Sequence, residues 1–402
     1  MKTSQRSPVC SGPARSMLAK SRMGVPPRHR SRIPCYAPTR TDAGMRVVWD
    51  DVEEFATATA KVSVPVVEWR DDFGEKYSLE EEVAAGSFGT IWRGSDKRTG
   101  EPVAVKRLQM QRGSLTKERI KEKVEQEVAV MMDLQGHVGT VQLHGAFIED
   151  DHYSVVMDFC GGSDLKVLVQ ESGPISEGLC AAVAWQILGV LRKCREAKVV
   201  HGDVKAANFV VASETCNPFR SSEVTILPPG WLKAVDFGAS LYFRGRPKDV
   251  IRGRCGTPVY MAPEVLWGYY GFQADMWSLG MTLFYLMTGR FPLWESEEEA
   301  LRQNLMQVKD AVFRQPMRVG AEDLGNPSAS CLDFIRRLLI RNSASRMTLE
   351  DALHHPFFKQ NLSFCEDGAV MLELNNIVDS GKLSPSSKLS RSSKVLDSTQ
   401  KT

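Results

Sequence analysis

The chain has 402 residues, 43% of them apolar and 25% charged, which is typical of a globular protein with room for two or three domains. Its net charge of +2 gives no overall field that would attract nucleic acid, so no nucleic acid partner is expected. Nine cysteines without a C-x-x-C pair argue against a zinc site and a secreted disulfide framework. The longest apolar stretches are shorter than the roughly 20 residues that a bilayer requires, so no membrane span is expected.

Residues 1–45 have the composition of an organelle transit peptide. The first 41 residues contain nine Lys or Arg, six Ser, six Pro and no acid, and basic, Ser-rich segments without acids are typical of such signals. The Pro content predicts disorder and favours a chloroplast over a mitochondrion. The alternative is a disordered basic tail that stays attached, for example on a cytoplasmic protein.

The pattern along the rest of the chain predicts an α+β fold with two lobes. Short β-branched strands alternate with turns up to Phe159, and longer helical periods follow, as in 179–195 and 274–286. Residues 380–402 are rich in Ser and Lys. The predicted organisation is an N-terminal extension at 46–73, a β-rich small lobe at 74–158, a helical large lobe at 159–360 and a mostly disordered tail at 361–402.

A predicted strand, turn and strand at 77–91 carry the first candidate site. Gly86 and Gly89 would let backbone N–H groups approach phosphate oxygens without obstruction by side chains, and Phe88 would cap the turn. A Gly-x-x-Gly hairpin alone is a weak signal, because most such hairpins are only turns.

A lysine at the end of an apolar strand, Lys106 in Val103-Ala-Val-Lys106, is the next candidate. It could snorkel to solvent, or it could hold the α- and β-phosphates of a nucleotide. In the following predicted helix, Glu127 is spaced to face Lys106. Glu122 and Glu125 are rival partners.

The strongest pattern is His201-Gly-Asp-Val-Lys-Ala-Ala-Asn208, followed by Asp236-Phe-Gly238. The spacing matches a catalytic loop, in which Asp203 would accept a hydroxyl proton and Lys205 would neutralise a γ-phosphate. Asn208 and Asp236 would bind Mg²⁺.

Three further contacts are expected downstream of that loop. Thr257 would hydrogen-bond the pair Asp203–Lys205. Glu264 requires a buried arginine, for which Arg346 is the candidate. Asp275 would hold the backbone of the catalytic loop on a central helix.

Together these residues resemble the eukaryotic protein kinase family over about residues 74–360, and Lys205 with the segment 256–264 resembles its Ser/Thr class. The resemblance implies the bilobal protein kinase fold, ATP and Mg²⁺ as cofactors, and protein substrates that accept the γ-phosphoryl group on Ser or Thr. With the basic N-terminus, it also predicts a plant- or alga-like chain that carries a transit peptide.

The resemblance also implies the residues of the ATP site. Met157 would be the gatekeeper, residues 158–160 the hinge and Asp164 the ribose contact, while Leu165 would join the residues around adenine. The predicted ATP-binding set is Ala84, Ala85, Gly86, Ser87, Phe88, Gly89, Ile91, Ala104, Lys106, Glu127, Met157, Asp158, Cys160, Asp164 and Val210.

The sequence departs from the family pattern at several positions. Ala84 stands where the first glycine of the loop is expected. Gly202 replaces the Arg before the catalytic Asp, which normally pairs with a phosphate on the activation loop. That loop, 239–255, is basic and lacks Ser or Thr in its later half, so activity without activation-loop phosphorylation is expected.

Two other departures concern the surface. The insertion at 213–230 is expected to form a surface hairpin, either as a docking element or as tolerated length. Ala207 and Tyr285 replace acids that bind Arg in substrates, so a neutral or acidic substrate preference is expected.

The main alternative function is a pseudokinase scaffold. It would require the loss of one of Lys106, Asp203, Asn208 or Asp236, and all four are present. Phosphorylation of a small molecule is disfavoured by the intact segment 257–264. The sequence contains no D-x-[DN]-x-[DN]-G loop of the kind that binds calcium.

Overall fold

The fold comes from a computed structural model. It describes residues 57–58, 63–86, 89–111, 116–219, 226–246, 249–365 and 368–372. The predicted transit peptide, most of the N-terminal extension, and residues 373–402 of the predicted tail lie outside the described residues.

The small lobe is built on one six-stranded sheet, in the order β2-β6-β7-β5-β4-β3. All neighbours are antiparallel except β2 and β6. The strands are β2 (Trp69–Arg70), β3 (Tyr77–Gly86), β4 (Gly89–Asp96), β5 (Pro102–Gln109), β6 (Leu143–Ile148) and β7 (His152–Asp158). Since β2 belongs to the predicted extension, the end of that extension packs on the lobe.

The one long helix of the small lobe is α2 (Lys117–Asp133), after the short α1 (Phe73–Lys76). Helix α2 begins at Thr116, whose side chain accepts a hydrogen bond from the backbone N–H of Arg119 and so caps the helix. Its buried face includes Val124, Glu127 and Val128. This face presents Glu127 to the interior between the lobes.

The large lobe is helical, as the sequence pattern predicts. Its helices are α3 (Leu165–Ser172), α4 (Glu177–Glu196), α5 (Pro263–Trp267), α6 (Gln273–Thr288), α7 (Glu297–Leu301), α8 (Leu305–Arg314), α9 (Ala329–Leu338), α10 (Leu349–Leu353) and α11 (Pro356–Asn361). Helix α6 is buried on nearly every side, as expected for a helix that is apolar all round. The predicted α+β bilobal fold is confirmed.

Short strands and 3₁₀ turns shape the loops of the large lobe. The strands are β8 (Val199–Val200), β9 (Phe209–Val211), β10 (Ile226–Leu227), β11 (Leu232–Ala234), β12 (Leu241–Tyr242), β13 (Ile251–Arg252), β14 (Tyr269–Tyr270), β15 (Leu362–Phe364) and β16 (Val370–Leu372). The 3₁₀ turns are Ala206–Asn208, Glu214–Cys216, Pro258–Tyr260 and Glu322–Leu324. Among the described residues, no helix is both long and apolar enough to cross a membrane.

An N-terminal strand pairs with the activation loop. Strand β1 (Thr57–Ala58) pairs antiparallel with β13 of the activation loop, and β13 pairs on its other side with β14. The activation loop is therefore hydrogen-bonded on both sides at this point.

The insertion differs from its predicted structure, and the first residues of the predicted tail form two strands, β15 and β16. In its described part, the insertion does not form a hairpin with itself: β10 pairs with β16, which pairs with β15 to make a three-stranded sheet. Leu227 is fully buried, and Phe364 packs on Trp185 of α4 with 4.9 Å between ring centroids. Burial of these apolar side chains stabilises the sheet, and it explains why the first residues of the tail pack on the large lobe.

We expect Leu227→Ala to lower the free energy of unfolding by about 2–5 kcal/mol, because it leaves a cavity in the core. Its strand neighbour Ile226 is 54% exposed and serves as the matched control, with an expected loss below about 1 kcal/mol for Ile226→Ala. Urea unfolding of the full chain measures both values. Equal losses for the two variants would show that the sheet does not pack as described.

Candidate active site

A buried lysine is paired with two carboxylates where the lobes meet. Nζ of Lys106 on β5 donates to both carboxylate oxygens of Glu127 on α2, at 2.6 and 2.8 Å, and to Oδ1 of Asp236 at 3.1 Å. The rival partners face elsewhere, since Glu125 accepts from the indole of Trp69 and Glu122 pairs with Arg119. The structure thus selects Glu127.

The charges in this cluster stabilise one another. Burial works against the charged amine of Lys106, but Asp236 and Glu127 outweigh that effect and hold the pKa of Lys106 above its ordinary value. Burial also acts to raise the pKa of Asp236, yet Lys106 and the backbone N–H of Gly238 hold it well below its usual range. The cluster therefore contains a cation and an ionised carboxylate at neutral pH.

The catalytic loop brings four predicted side chains together. Asp203 forms an ion pair with Lys205 at 2.7 Å, and its Oδ1 accepts the backbone N–H of Thr257 at 2.8 Å. Lys205 Nζ also donates to Oγ1 of Thr257 at 2.8 Å, and the amide of Asn208 donates to Oδ2 of Asp203 at 3.1 Å. The expected contact between Thr257 and the pair Asp203–Lys205 is confirmed.

Asp275 holds the backbone of this loop, as predicted. Its two carboxylate oxygens accept the N–H groups of His201 and Gly202, both at 2.9 Å. Burial raises the pKa of Asp275 to about 7, against the two N–H donors. The ring of His201 lies 5.3 Å from that of Phe237, which links the loop to the segment that carries Asp236.

Gly202 has a backbone conformation that suits glycine. Its φ is +78°, and a Cβ at this position would lie 2.6 Å from the carbonyl oxygen of Ala239. Glycine adopts this left-handed conformation without the steric cost that other residues meet. Glycine at position 202 therefore keeps the backbone next to Asp203 free of that steric cost.

The structure places most of the predicted ATP-binding residues around one region between the lobes. Cross-strand pairs join Ala84 to Ile91, Ile91 to Lys106 and Ala104 to Met157. A single bridge joins Asp164 to Val210. Ala85, Gly86 and Gly89 lie at the turn between β3 and β4, whereas Ser87 and Phe88 lie outside the described residues.

Two residues near the adenine region have roles that the sequence pattern did not predict. Leu165 is fully buried on α3, so its predicted place beside adenine is wrong, because it fills the core beneath that region. Asp164 caps α3, with Oδ1 accepting the N–H groups of Lys166 and Val167 at 2.8 and 3.0 Å. The predicted contact between Asp164 and ribose stays a prediction, and it would use the other carboxylate oxygen, Oδ2.

A network behind the hinge was missed by the sequence analysis. The carboxylate of Asp158 is bound by Lys233 at 2.9 Å and by His144 at 3.0 Å. Burial acts to raise the pKa of Asp158, but the hydrogen bonds from His144 and Lys233 lower it to about 2. No motif connects these positions, so no sequence signal could have identified the network.

The segment after the activation loop is anchored by a buried ion pair. The guanidinium of Arg346 is completely buried and binds the carboxylate of Glu264 through two hydrogen bonds, one of 2.9 Å. It also donates to the carbonyl of Gln273 at the start of α6. The predicted pair Glu264–Arg346 is confirmed.

A two-lobed fold with a paired lysine, a Mg²⁺-type carboxylate and a catalytic loop between its lobes defines a kinase-type phosphotransferase domain. The family model of the protein kinase domain matches residues 77–358. The chain belongs to the protein kinase family, in its serine/threonine class.

Curated relatives are similar to this chain over the same region. Calcium-dependent protein kinase 11 of Oryza sativa subsp. japonica is 31% identical over 73% of this chain and 46% of its own length. Calcium-dependent protein kinase 27 of the same plant is 30% identical over 83% and 51%, and calcium-dependent protein kinase 2 of Arabidopsis thaliana is 32% identical over 71% and 41%. The chain spans about half the length of these relatives.

We expect Arg346→Met to lower the free energy of unfolding by about 3–5 kcal/mol, because it leaves the carboxylate of Glu264 without its buried partner. The control is Arg314→Ala, which removes the exposed pair between Arg314 and Asp310 and should cost less than about 1 kcal/mol. Chemical denaturation of the full chain checks both. A loss for Arg346→Met no larger than that of the control would contradict the structural role of the pair.

Proposed function

We propose that this chain transfers the γ-phosphoryl group of ATP to Ser or Thr hydroxyls of protein substrates. The observation that carries the proposal is the assembled set of Asp203, Lys205, Asn208 and Thr257 next to the ion-paired Lys106. Such a set supplies both a base for the hydroxyl and fixed cations for phosphate charge.

The residues fit the binding of Mg²⁺ and a triphosphate. The carboxylate of Asp236 is 45% exposed, and its Oδ2 makes no hydrogen bond with the described residues. The side-chain NH₂ of Asn208 donates to the backbone carbonyl and to Oδ2 of Asp203. The side-chain carbonyl oxygen of Asn208 is therefore available to bind a cation. Bound Mg²⁺ would neutralise phosphate charge, and hard oxygen ligands of this kind suit it.

Different residues would accept the proton of the substrate hydroxyl and neutralise the charge of the phosphates. Asp203 Oδ2 lies beside the ammonium of Lys205 and can accept the proton of a substrate hydroxyl. Lys205 is held between Asp203 and Thr257, where its charge faces the transferred group. Lys106 is held by Glu127, so its position does not depend on the substrate.

The alternative function is a pseudokinase scaffold. A scaffold has no need of the hydrogen bonds that join Asp203, Lys205 and Thr257, which favours the active enzyme. The names of the relatives attribute calcium dependence to those proteins; the proposal carries over only the kinase activity, because the matched region is the kinase domain.

We expect Asp203→Asn to lower kcat by several orders of magnitude, because an amide cannot accept the hydroxyl proton. Asn keeps the size of the side chain and one oxygen for the N–H of Thr257, so folding should persist. Steady-state phosphorylation of a generic protein substrate measures the effect, and Asp150→Asn, at an exposed turn of the small lobe, is the control. Equal rates in the two variants would support the scaffold.

We also propose that the site assembles without phosphorylation of the activation loop. The loop, 239–255, contains two hydroxyl side chains, and both are buried and donate hydrogen bonds: Ser240 to the carbonyl of His201, and Tyr242 to Asp133 of α2. Gln126 of α2 also donates to the carbonyl of Ser240. The bonds of Gln126 and Tyr242 thus join α2 to the loop through groups of the chain itself.

Treatment of the purified protein with a phosphatase should leave its kcat unchanged, because no exposed hydroxyl is present in the loop. Mass spectrometry of the loop peptide before treatment should find no phosphate. A kinase that requires a loop phosphate, assayed in parallel, is the control for the phosphatase. Loss of activity that accompanies loss of a loop phosphate would overturn this part of the proposal.

A neutral or acidic substrate preference is supported by charge pairing near the catalytic loop. Glu297 could attract a basic substrate residue, but Lys166 pairs with it at 2.8 Å. The side chains at the two substituted positions, Ala207 and Tyr285, carry no negative charge.

We propose a chloroplast location, on the composition of residues 1–45 alone. A reporter fused to residues 1–60 would enter that organelle. Import into mitochondria or retention in the cytoplasm would refute the proposal.

A further inference from the structure

A tryptophan on the surface of the large lobe belongs to an exposed apolar patch. Trp267, the last residue of α5, is 64% exposed, although tryptophan is largely buried on average. Its ring packs on that of the half-buried Phe313 in α8, with 5.2 Å between the ring centroids. Because the exposed Met306 and Lys309 precede Phe313 by seven and four residues, the three side chains share one face of α8.

Two cations lie beside the tryptophan. The ammonium of Lys309 lies over the ring of Trp267, 5.5 Å from its centre, where the face of the ring attracts a positive charge. Nε of Arg254 donates to the carbonyl of Leu266, the residue before Trp267, at 3.1 Å. Burial lowers the pKa of Lys309, and the charge of Arg254 lowers it further, so the two cations lie close to each other.

The same surface continues onto β13 and β14. Arg252 is paired with Tyr269 across these strands, and its guanidinium lies 5.5 Å from the centre of the exposed ring of Tyr269. The backbone N–H of Gly253 donates to the carbonyl of Gly268, so the two segments run side by side. The contacts join six residues into one surface, here called the aromatic-basic patch: Arg252, Arg254, Trp267, Tyr269, Lys309 and Phe313.

The positive charge of the patch is not neutralised by the part of the chain that the structure describes. Its three cations form no ion pair with those residues, and the acids near them along the chain are engaged elsewhere. Asp249 accepts a backbone N–H within the activation loop, and Asp310 pairs with Arg314 at 3.0 Å. Glu264 is bound by its buried arginine. The patch therefore combines exposed aromatic rings with uncompensated positive charge.

An acidic segment that carries an apolar side chain would complement this surface. Tryptophan, tyrosine and arginine are the residues that contribute most often to the binding energy of protein interfaces. Complementary charge steers the encounter and disfavours wrong partners. A second copy of this chain fits less well, because an interface between two identical patches would bring like charges together.

The patch also lies close to the catalytic loop. Arg254 comes three residues before Thr257, whose backbone N–H and hydroxyl contact Asp203 and Lys205. Three peptide units span at most about 11 Å. A protein bound at Arg254 is therefore held near the residues that would act on its hydroxyl group.

We propose that the aromatic-basic patch is a docking surface for protein substrates, through acidic segments that carry an apolar residue among their acids. The inference rests on the proposed kinase function and names a class of substrate for it. A docked substrate presents its hydroxyl to the catalytic loop at a higher effective concentration. Docking therefore lowers KM and leaves kcat unchanged.

Binding is tested with a peptide that contains no hydroxyl and cannot be phosphorylated. This acidic probe, Gly-Glu-Glu-Phe-Glu-Glu-Leu-Gly with a fluorescent label, is titrated with the full chain in the absence of ATP. Trp267→Ala should raise the Kd at least about tenfold, as truncation of a tryptophan in the centre of an interface does. Val138→Ala, at a position that is 55% exposed and away from the patch, is the matched control and should leave the Kd unchanged.

A charge exchange provides the second arm. Lys309→Glu should raise the Kd of the acidic probe about threefold, the scale of one partly exposed ion pair. The same variant should lower the Kd of a probe in which Lys replaces every Glu. Lys359→Glu, at the exposed end of α11, is the matched control. Equal effects of the two variants on both probes would show that net charge decides binding, and would overturn docking at the patch.

The third arm measures phosphorylation of a docked substrate. The acidic probe sequence is joined through a Gly-rich linker to an acceptor peptide that contains Ser, and a matched substrate carries Gln in place of every Glu. The acidic form should have the lower KM with the wild type. Trp267→Ala should remove this difference in KM without a change in kcat. A difference that persists in Trp267→Ala would overturn the proposal.

The outcomes separate docking from the proposed function. A chain that binds the acidic probe through Trp267 and phosphorylates no protein refutes the kinase function and leaves the site for acidic segments in place. A chain that phosphorylates a generic substrate but binds the probe equally with and without Trp267 overturns docking alone. Sedimentation that finds a wild-type dimer and a monomeric Trp267→Ala would assign the patch to a second copy and would also overturn docking.

Discussion

The carboxylate of Asp275 sits inside the large lobe on helix α6, where it accepts the backbone N–H groups of His201 and Gly202. The position of Asp203, one residue further, follows from those two bonds. Burial of a charge is costly, and the raised pKa of Asp275 shows that cost. The two N–H donors offset part of that cost, because they favour the charged carboxylate. The catalytic loop and the core of the large lobe therefore depend on each other.

The activation loop is held by hydrogen bonds to several parts of the domain. Gly202 adopts a left-handed backbone conformation immediately before Asp203, where a side chain would meet the carbonyl of Ala239. Gln126 of α2 donates to the backbone carbonyl of Ser240 in the loop, and the hydroxyl of Tyr242 in the loop donates to the carboxylate of Asp133 on α2. Strands β1 and β14 pair with β13 on its two sides. All of these contacts are made by side chains and backbone groups of the chain itself.

Much of the fold and site was predictable because the relevant signals are local. The two lobes follow from strand and helix periodicity, and the contacts of Asp203, Glu264 and Asp275 follow from residues at fixed spacings in a family pattern. Which of Glu122, Glu125 and Glu127 pairs with Lys106 depends on how α2 is rotated about its own axis. The hydrophobic periodicity predicts that rotation only approximately. Two-residue strands such as β1 and β10 carry no periodicity, and their partners lie far along the chain. The sheet of the insertion and tail was missed for that reason.

The pairing of β10 with β16 has a consequence for how the domain comes apart. These strands are separated along the chain by most of the large lobe, so closing the sheet orders a long loop, and contacts of that kind form late in folding. Interactions absent from the folding transition state act mainly on the unfolding rate. Phe364, packed on Trp185 of α4, should thus govern how long the native domain persists rather than how quickly it is reached. The first residues of the tail, among them Leu362 and Val370 in the core, then slow the unfolding of the large lobe more than they speed its folding.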